Sequence, residues 1–435
     1  MIRLTFDRDR TKLQGTVVLP PSKSIAARAL LLHALACGEP APANIRNLPD
    51  CDDTLEMRKA LAVTPARGLV NIEGAGTAMR FLTAFFASKP GSDVVLTGNA
   101  RMLQRPIGTL VDALRLLGAD ITYEDSEGVP PLHIRGKQLS GDSLEMDASR
   151  SSQYISAVMM IAPLLLPKRT GKDPFRLTLR GKISSRPYIE MTRALMAHFG
   201  IAASWTNEGT TLLIPRGRYT DHPLTIEGDW SAASYWLALR ALAAKTDFPY
   251  EVQLQGLADR SIQGDSICAE LLGPTFLNRD AISIDCSDCP DLIPTLTTTY
   301  FLLGTPFRIA GAENLRIKET DRIASLVSEA AKLGCVLKVE NNHKDNLTEE
   351  ALVWDGTRSK THPTTKSTRI STFGDHRMAM AFAPAVLCLG QIEIEHPEVV
   401  EKSYPAFWND LKAIGIGVEY MPEKASHTEE KETEQ

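Results

Sequence analysis

The chain has 435 residues, 43% of them hydrophobic and 23% charged, with a net charge of −5. That length exceeds what one compact core usually organises and points to two domains or a repeat-built body, while the composition excludes a disordered or fibrous protein. A net negative chain is poorly suited to nucleic acid, whose phosphates select basic domains, so any anion it binds is held at a local site.

In chain order, Met1 to Phe6 alternates like a strand and lacks the basic-then-apolar layout of an export signal, so a cytoplasmic location is expected. Pro21-Ser22-Lys23-Ser24 then runs into the apolar stretch Ile25 to Leu32. Such a helix start gathers free backbone N–H groups, hydroxyls and a Lys at the positive end of the dipole, with Arg28 one turn in. It is an anion cradle without the glycines of a Walker loop; the plainer alternative is a capping Ser beside a solvated Lys. Glu73-Gly74-Ala75-Gly76-Thr77-Ala78-Met79-Arg80 is a Gly-rich turn opening another helix, and it fails the dinucleotide-binding pattern at Met79. Arg101 and Arg105 stand before a further helix, and Ser151-Ser152-Gln153 places short donors at the mouth of the apolar run Ile155 to Pro167. That run is too short to span a bilayer and holds Ser156 and Pro163, so a buried helix and no membrane partner are expected.

Leu19-Pro20-Pro21 and Ile226-Glu227-Gly228-Asp229 read as crossings between two halves, the second preceding a helix over Ser231 to Leu242. Further on, Cys289-Pro290-Asp291 puts a carboxylate before an apolar helix, as a cap or a base. Arg316-Ile317-Lys318-Glu319-Thr320-Asp321-Arg322 reads, taken alone, as a solvated helix face. Thr357 to Thr372 reads as a loop. Gly374-Asp375-His376-Arg377 sits at a helix mouth, Lys402 precedes the last helix, and Glu423 to Gln435 is expected to be a disordered tail. The seven Cys are scattered, and Cys286-Ser-Asp-Cys289 has no second pair or nearby His, so reduced thiols are expected.

A regular unit underlies these stretches: an amphipathic helix, a Gly, then a short strand. It appears at Leu110 to Gly118, Met191 to Gly200, Leu326 to Gly334 and Phe407 to Gly415, with a further candidate at Leu272-Gly273. With the paired strands downstream this is an α/β unit of roughly seventy residues, repeated about six times. If the helix N-termini face a common centre, their cations converge on one cleft for a highly charged anionic substrate pair.

In their order along nearly the whole chain, Ser22-Lys23-Ser24, Gly76-Thr77-Ala78-Met79-Arg80, Leu96-Thr97-Gly98, Arg105-Pro106-Ile107, Lys318-Glu319-Thr320-Asp321-Arg322, Asp375-His376-Arg377-Met378-Ala379-Met380 and Lys402 resemble the 5-enolpyruvylshikimate-3-phosphate (EPSP) synthase family. The resemblance implies an α/β fold of two globular domains, each of three βαβαββ repeats in an inside-out barrel, one at 21–227 and the other at 1–20 plus 228–422. It implies a monomer that transfers the enolpyruvyl group of phosphoenolpyruvate to the 5-hydroxyl of shikimate 3-phosphate, needing no metal or organic cofactor. By the same resemblance the acceptor is held by Lys23, Ser24, Arg28, Ser151, Ser152, Gln153, Ser185, Tyr188, Asp291, Asn314 and Lys318. The donor is held by Lys23, Gly76, Arg105, Gln153, Arg322, Arg377 and Lys402. Asp291 is the implied base on the hydroxyl, with Glu319 and Lys23 or Lys402 on the acid side. Pro21, Ala27, Gly74 and Phe81 depart from the family's usual residues, which are Gly, a polar residue, Asn and Pro. UDP-N-acetylglucosamine enolpyruvyl transferases share fold and donor but carry a reactive Cys in a loop where this chain has Arg101 to Arg105 without one.

Overall fold

A computed structural model describes residues 1–38, 43–63, 67–149, 151–168, 173–206, 208–344, 347–359 and 368–422. The tail from 423 lies outside the described residues. So do residues 360–367 of the expected loop, which on its far side contains a strand, Thr368–Ile370.

The repeat is visible in the sheets. Among the described residues four of them have four strands in one shared spatial order: a parallel pair, then two antiparallel strands; in three of the four the last strand precedes its neighbour in sequence, and in the fourth that neighbour is the N-terminal strand. Arg67–Asn71, Asp93–Thr97, Leu132–Arg135 and Asp120–Tyr123 make the first such sheet. Equivalent sheets hold Ser143–Asp147 and Phe175–Arg180, Ile282–Asp285 and Phe307–Ala310, and Thr368–Ile370 and Gln391–Ile394 as their parallel pairs. The last sheet is completed by the N-terminal strand Ile2–Thr5, which lies between Gln391–Ile394 and Gly417–Tyr420, so the two ends of the described chain share one sheet. The two remaining units are reduced to parallel strand pairs: Ile45–Arg46 with Leu224–Thr225, and Leu13–Val18 with Tyr250–Gln255.

Two kinds of helix serve these sheets. Gly108–Leu116, Arg186–His198, Arg322–Lys332 and Phe407–Ile414 are amphipathic, with one face buried and one exposed. The glycines that follow them, Gly118, Gly200, Gly334 and Gly415, all have positive φ, the conformation a left-handed cap demands. Leu272-Gly273 is not a fifth copy: Gly273 has φ −89 and leads into the short helix Pro274–Leu277.

The other kind is buried on nearly all sides. Lys23–Cys37, Gly76–Ser88 and Ser152–Ile161 pack together in one half, and Trp230–Lys245, Ile293–Leu303 and His376–Phe382 in the other. A helix apolar around its circumference has no solvent face to keep, so it becomes a core. Leu30, Leu31 and Leu32 are three successive examples; each fully buried side chain contributes about 1.5–3 kcal/mol.

Buried apolar side chains fall into two clusters, one running from Ile25 to Ile226, the other from Ile2 to Leu19 and again from Ala232 to Ile416. The chain passes between them at Pro21 and Gly228, which form an antiparallel bridge. The Ser22 amide donates to the Glu227 carbonyl at 2.8 Å, and the Asp229 amide to the Pro20 carbonyl at 2.8 Å. Gly228 is needed there for closeness: a Cβ would lie 2.9 Å from the Gly256 carbonyl.

Candidate active site

The N-termini of five of the buried helices, all but Trp230–Lys245, reach the cleft, and the entries to the amphipathic helices supply its walls. In the first half, the Ser151 hydroxyl caps the Ser152 helix by accepting from the Gln153 amide at 3.2 Å, and the Gln153 side chain donates to the Thr77 hydroxyl. Ser22 precedes Lys23–Cys37 without capping it; its hydroxyl is buried with no partner among the described residues. Arg28, 1% exposed, donates to Thr192 Oγ1 at 2.7 Å, to the Ser24 carbonyl at 2.9 Å and to Ser156 Oγ at 3.2 Å, with the rings of Phe81 and Tyr188 beside its guanidinium. Burial lowers its pKa to about 10, leaving it charged at neutral pH. Phe81, one of the departures, therefore supplies an aromatic wall to this guanidinium.

Arg80 fixes the next element. It donates to the Gly76 carbonyl at 3.1 Å and to the Pro106 carbonyl at 3.0 Å, tying the Gly-rich turn to the segment that carries Arg105. Gly76 must lack a side chain, because a Cβ would fall 2.5 Å from Arg105 Nη1. The buried Arg105 Nε–H has no partner among the described residues. Turns that deliver these groups use unusual backbone: Glu73, Ser185 and Phe373 all have positive φ without being glycine, a strain that persists where surrounding structure imposes it.

The second half is built from paired charges. Asp291, in the turn before Ile293–Leu303, accepts from Arg322 Nη1 at 3.0 Å and Arg377 Nη2 at 2.9 Å, with Lys318 Nζ at 3.4 Å. Arg322, 1% exposed, also reaches Asp375 at 2.7 Å and Glu319 at 2.7 Å. The run Arg316 to Arg322 is therefore not a solvated helix face. Its first residues form a single 3-10 turn, Lys318 to Asp321 are irregular, and only Arg322 enters the helix, pointing inward. Burial opposes ionisation of Asp291, but Arg377, Lys318 and Arg322 hold its pKa well below the usual range; Arg322, Arg105 and Lys402 do the same for the half-buried Glu319. His376 is neutral, because burial and the cations Lys23 and Arg377 push its pKa far down.

The halves meet across this cleft. Arg101 donates to the Lys318 and Glu319 carbonyls, Asn314 Nδ2 to Ser184 Oγ at 2.9 Å, Lys182 to Ser287 Oγ at 2.7 Å, and the Ser185 amide to the Ser287 carbonyl at 2.9 Å. Lys23, Ser24, Arg28, Gly76, Arg105, Ser151, Ser152, Gln153, Ser185, Tyr188, Asp291, Asn314, Lys318, Glu319, Arg322 and Arg377 all line it. Lys402 stands in an adjoining recess that shares Arg105, Glu319 and Asp53 with the main cleft.

Sequence reasoning missed Asp53, which binds both Lys23 and Lys402, and it missed the tie that Arg80 makes. It also left Gly74 unexplained. Lys402 Nζ donates to the Gly74 carbonyl at 2.6 Å, and a Cβ on Gly74 would lie 3.2 Å from Asn99 Nδ2 and 3.4 Å from Lys402 Nζ. The absent side chain makes room for Lys402 and Asn99.

Fold and site together define a two-lobed α/β repeat enzyme whose cleft suits a pair of phosphorylated or carboxylated substrates. The family model of EPSP synthase (3-phosphoshikimate 1-carboxyvinyltransferase) matches residues 8–67 and 62–411. A 3-phosphoshikimate 1-carboxyvinyltransferase of Bacteroides fragilis is 44% identical over 426 residues, covering 94% of this chain and 97% of its own. One from Haemophilus influenzae is 34% identical over 450 residues, covering 92% and 96%. The structure of an EPSP synthase from Acinetobacter baumannii shares the fold, with a TM-score of 0.70 over 96% of this chain and 100% of its own at 19% identity. The chain belongs to the EPSP synthase, or 3-phosphoshikimate 1-carboxyvinyltransferase, family.

Proposed function

We propose that this chain transfers the enolpyruvyl group of phosphoenolpyruvate to the 5-hydroxyl of shikimate 3-phosphate and releases phosphate. The observation that carries the reading is the meeting of Lys23, Arg105, Arg322 and Arg377 with the carboxylates Asp291 and Glu319 in one cleft of a chain of this family. Hydroxyl and amide donors of the first half, Ser24, Ser151, Ser152, Gln153 and Ser185, with Arg28, Tyr188, Asn314 and Lys318, suit the acceptor and its phosphate. Lys23, Gly76, Gln153, Arg105, Arg322, Arg377 and Lys402 suit the donor, Arg because its fork bonds two oxygens at once.

In this reading Asp291 takes the proton of the acceptor hydroxyl as its oxygen attacks C2 of the donor, and C3 gains a proton from the side of Lys23 and Glu319. C3 then returns that proton as the C2–O bond to phosphate breaks, and the surrounding cations stabilise the departing anion. The low pKa values of Asp291 and Glu319 fit this sequence. Both are held down by the arginines that the donor's carboxylate and phosphate attract, so donor binding diverts those cations and raises the basicity of both carboxylates.

The same reading takes 21–227 as one domain and 1–20 plus 228–422 as the other. A cytoplasmic monomer fits because one chain supplies both walls of the cleft and the seven cysteines are thiols. No described helix is long and apolar enough to cross a membrane. The test is phosphate release from phosphoenolpyruvate with shikimate 3-phosphate, run beside UDP-N-acetylglucosamine. Release only with the latter, or with neither, overturns the proposal.

A further inference from the structure

Asp53 occupies the first turn of the helix Asp52–Ala62, is 8% exposed, and touches both lobes. Its Oδ2 pairs with Lys23 Nζ at 2.8 Å and its Oδ1 accepts from Lys402 Nζ at 2.7 Å. Lys23 begins a buried helix of the first lobe, whereas Lys402 ends a 3-10 turn of the second, 349 residues from Asp53. Lys402 has a second acceptor in the Gly74 carbonyl; among the described residues, Asp53 is the only side chain that ion-pairs with Lys23. Each carboxylate oxygen already serves a lysine, so Asp53 acts through them rather than on a substrate.

We propose that Asp53 is a positioning residue for the transfer reaction: it holds Lys23 and Lys402 side by side at the donor recess and so couples closure of the two lobes to placement of the cations that meet phosphoenolpyruvate. This rests on the reading of the cleft given above. Two ammonium groups with Arg105 nearby repel one another, and a buried carboxylate between them removes the repulsion. Around Lys23 stand Asp53, Cys51, Glu319 and His376; around Asp53 stand Lys23 and Lys402. Burial opposes the charge on Lys23, but Asp53, with Cys51 and Glu319, more than offsets it and raises the pKa, while Lys23 and Lys402 lower that of Asp53. Loss of the Asp53 charge leaves the burial of Lys23 less opposed. Its ammonium then gives up its proton at lower pH.

The experiment compares wild type, Asp53→Asn and Asp53→Glu in steady-state phosphate release between pH 6 and 10. For Asp53→Asn the expected result is a KM for phosphoenolpyruvate raised about tenfold or more. The alkaline limb of kcat/KM, which in wild type lies above about pH 10 because Asp53 raises the Lys23 pKa, should also move down into the measured range. Asp53→Glu keeps the limb in place because it keeps the charge. A purely structural role would lower thermal stability and leave the limb where it is, and that result overturns the proposal. If Asp53→Asn does not fold, Asp53→Glu is combined with Lys402→Gln; effects on KM that multiply independently overturn the coupling, and a departure of about threefold or more supports it. Wild-type protein that releases no phosphate instead defeats the parent reading, so the two failures are distinguishable.

Discussion

The two sides of the cleft solve the same electrostatic problem differently. The first-lobe mouth offers hydroxyls, amides and helix N–H groups, and its buried Arg28 is satisfied by neutral oxygens. The second-lobe mouth is a closed circuit in which Asp291, Glu319 and Asp375 share Arg322, and Arg377 and Lys318 also lean on Asp291. Neutral donors can receive a phosphate without giving up a partner. Paired cations must exchange a carboxylate for the substrate, which changes the basicity of that carboxylate at the moment of binding. The neutral donors therefore suit holding, and the paired charges, to which Lys23 and Asp53 of the first lobe also belong, suit proton transfer.

The sharpest way to break this division is Asp291→Asn. Turnover should fall by about 10³-fold while the acceptor still binds, because general-base contributions run to about 10²–10⁴; near-normal phosphate release removes Asp291 from the reaction. Next in size is the loss of a guanidinium from each side. Arg322→Met takes a cation from three carboxylates and leaves the buried Asp375 without one, and should cost about 3–5 kcal/mol, whereas Arg28→Met, which frees only neutral acceptors, should cost about 1–3 kcal/mol. Denaturant midpoints measure both, and equal losses would show that the two mouths do not differ in kind. The Arg322 effect should shrink on acidification. Asp291 and Glu319 have depressed pKa values, so the stability they add is present above about pH 4 and is lost as pH falls through their folded values.

Smaller again is Ser152→Ala. It should raise the KM for shikimate 3-phosphate about tenfold, the value of one hydrogen bond to a charged group, and leave kcat within about twofold. A fall in kcat with unchanged KM would place this hydroxyl on the chemical side instead.

The smallest effect concerns Asp265, which lies behind the charged mouth and bonds Ser231, while its Oδ1 has no partner among the described residues. Burial, with the charge of Asp291, lifts its pKa to about 7. A carboxyl raised in the folded state costs stability as pH climbs from its unfolded pKa towards the folded one. Asp265→Asn should therefore melt on the order of 2–4 °C higher than wild type at pH 8, with the difference gone at pH 4. An unchanged melting temperature at pH 8 would mean that Asp265 has a counter-charge.

Much of this molecule could be read from local chemistry. The glycine caps at 118, 200, 334 and 415 were legible because a helix that must stop in the left-handed region leaves a glycine in place. Ser151, Asp375 and Asp291 were legible because short polar residues before an apolar run mark a helix mouth. The division into solvent-facing and fully buried helices was legible only in part: the run from Ile155 read as a buried helix, as Ser152–Ile161 is, but the other five were not singled out, since a helix buried on every side has no periodic stripe to reveal it. Asp53 was hidden for a related reason: an acidic residue in a first turn looks like ordinary dipole compensation. The run Arg316 to Arg322 likewise looked solvated because a charged heptad carries no sign of which members point inward.

Sequence by itself thus determined the repeated α/β unit, the helix mouths and the set of charged residues that gather there, because each is a property of a few adjacent residues. Tertiary structure decided which cation meets which carboxylate. The ties from Asp53 to Lys402, Arg322 to Asp375 and Arg101 to Lys318 link positions 349, 53 and 217 residues apart. Coulomb energy depends on distance in space, which chain order does not encode.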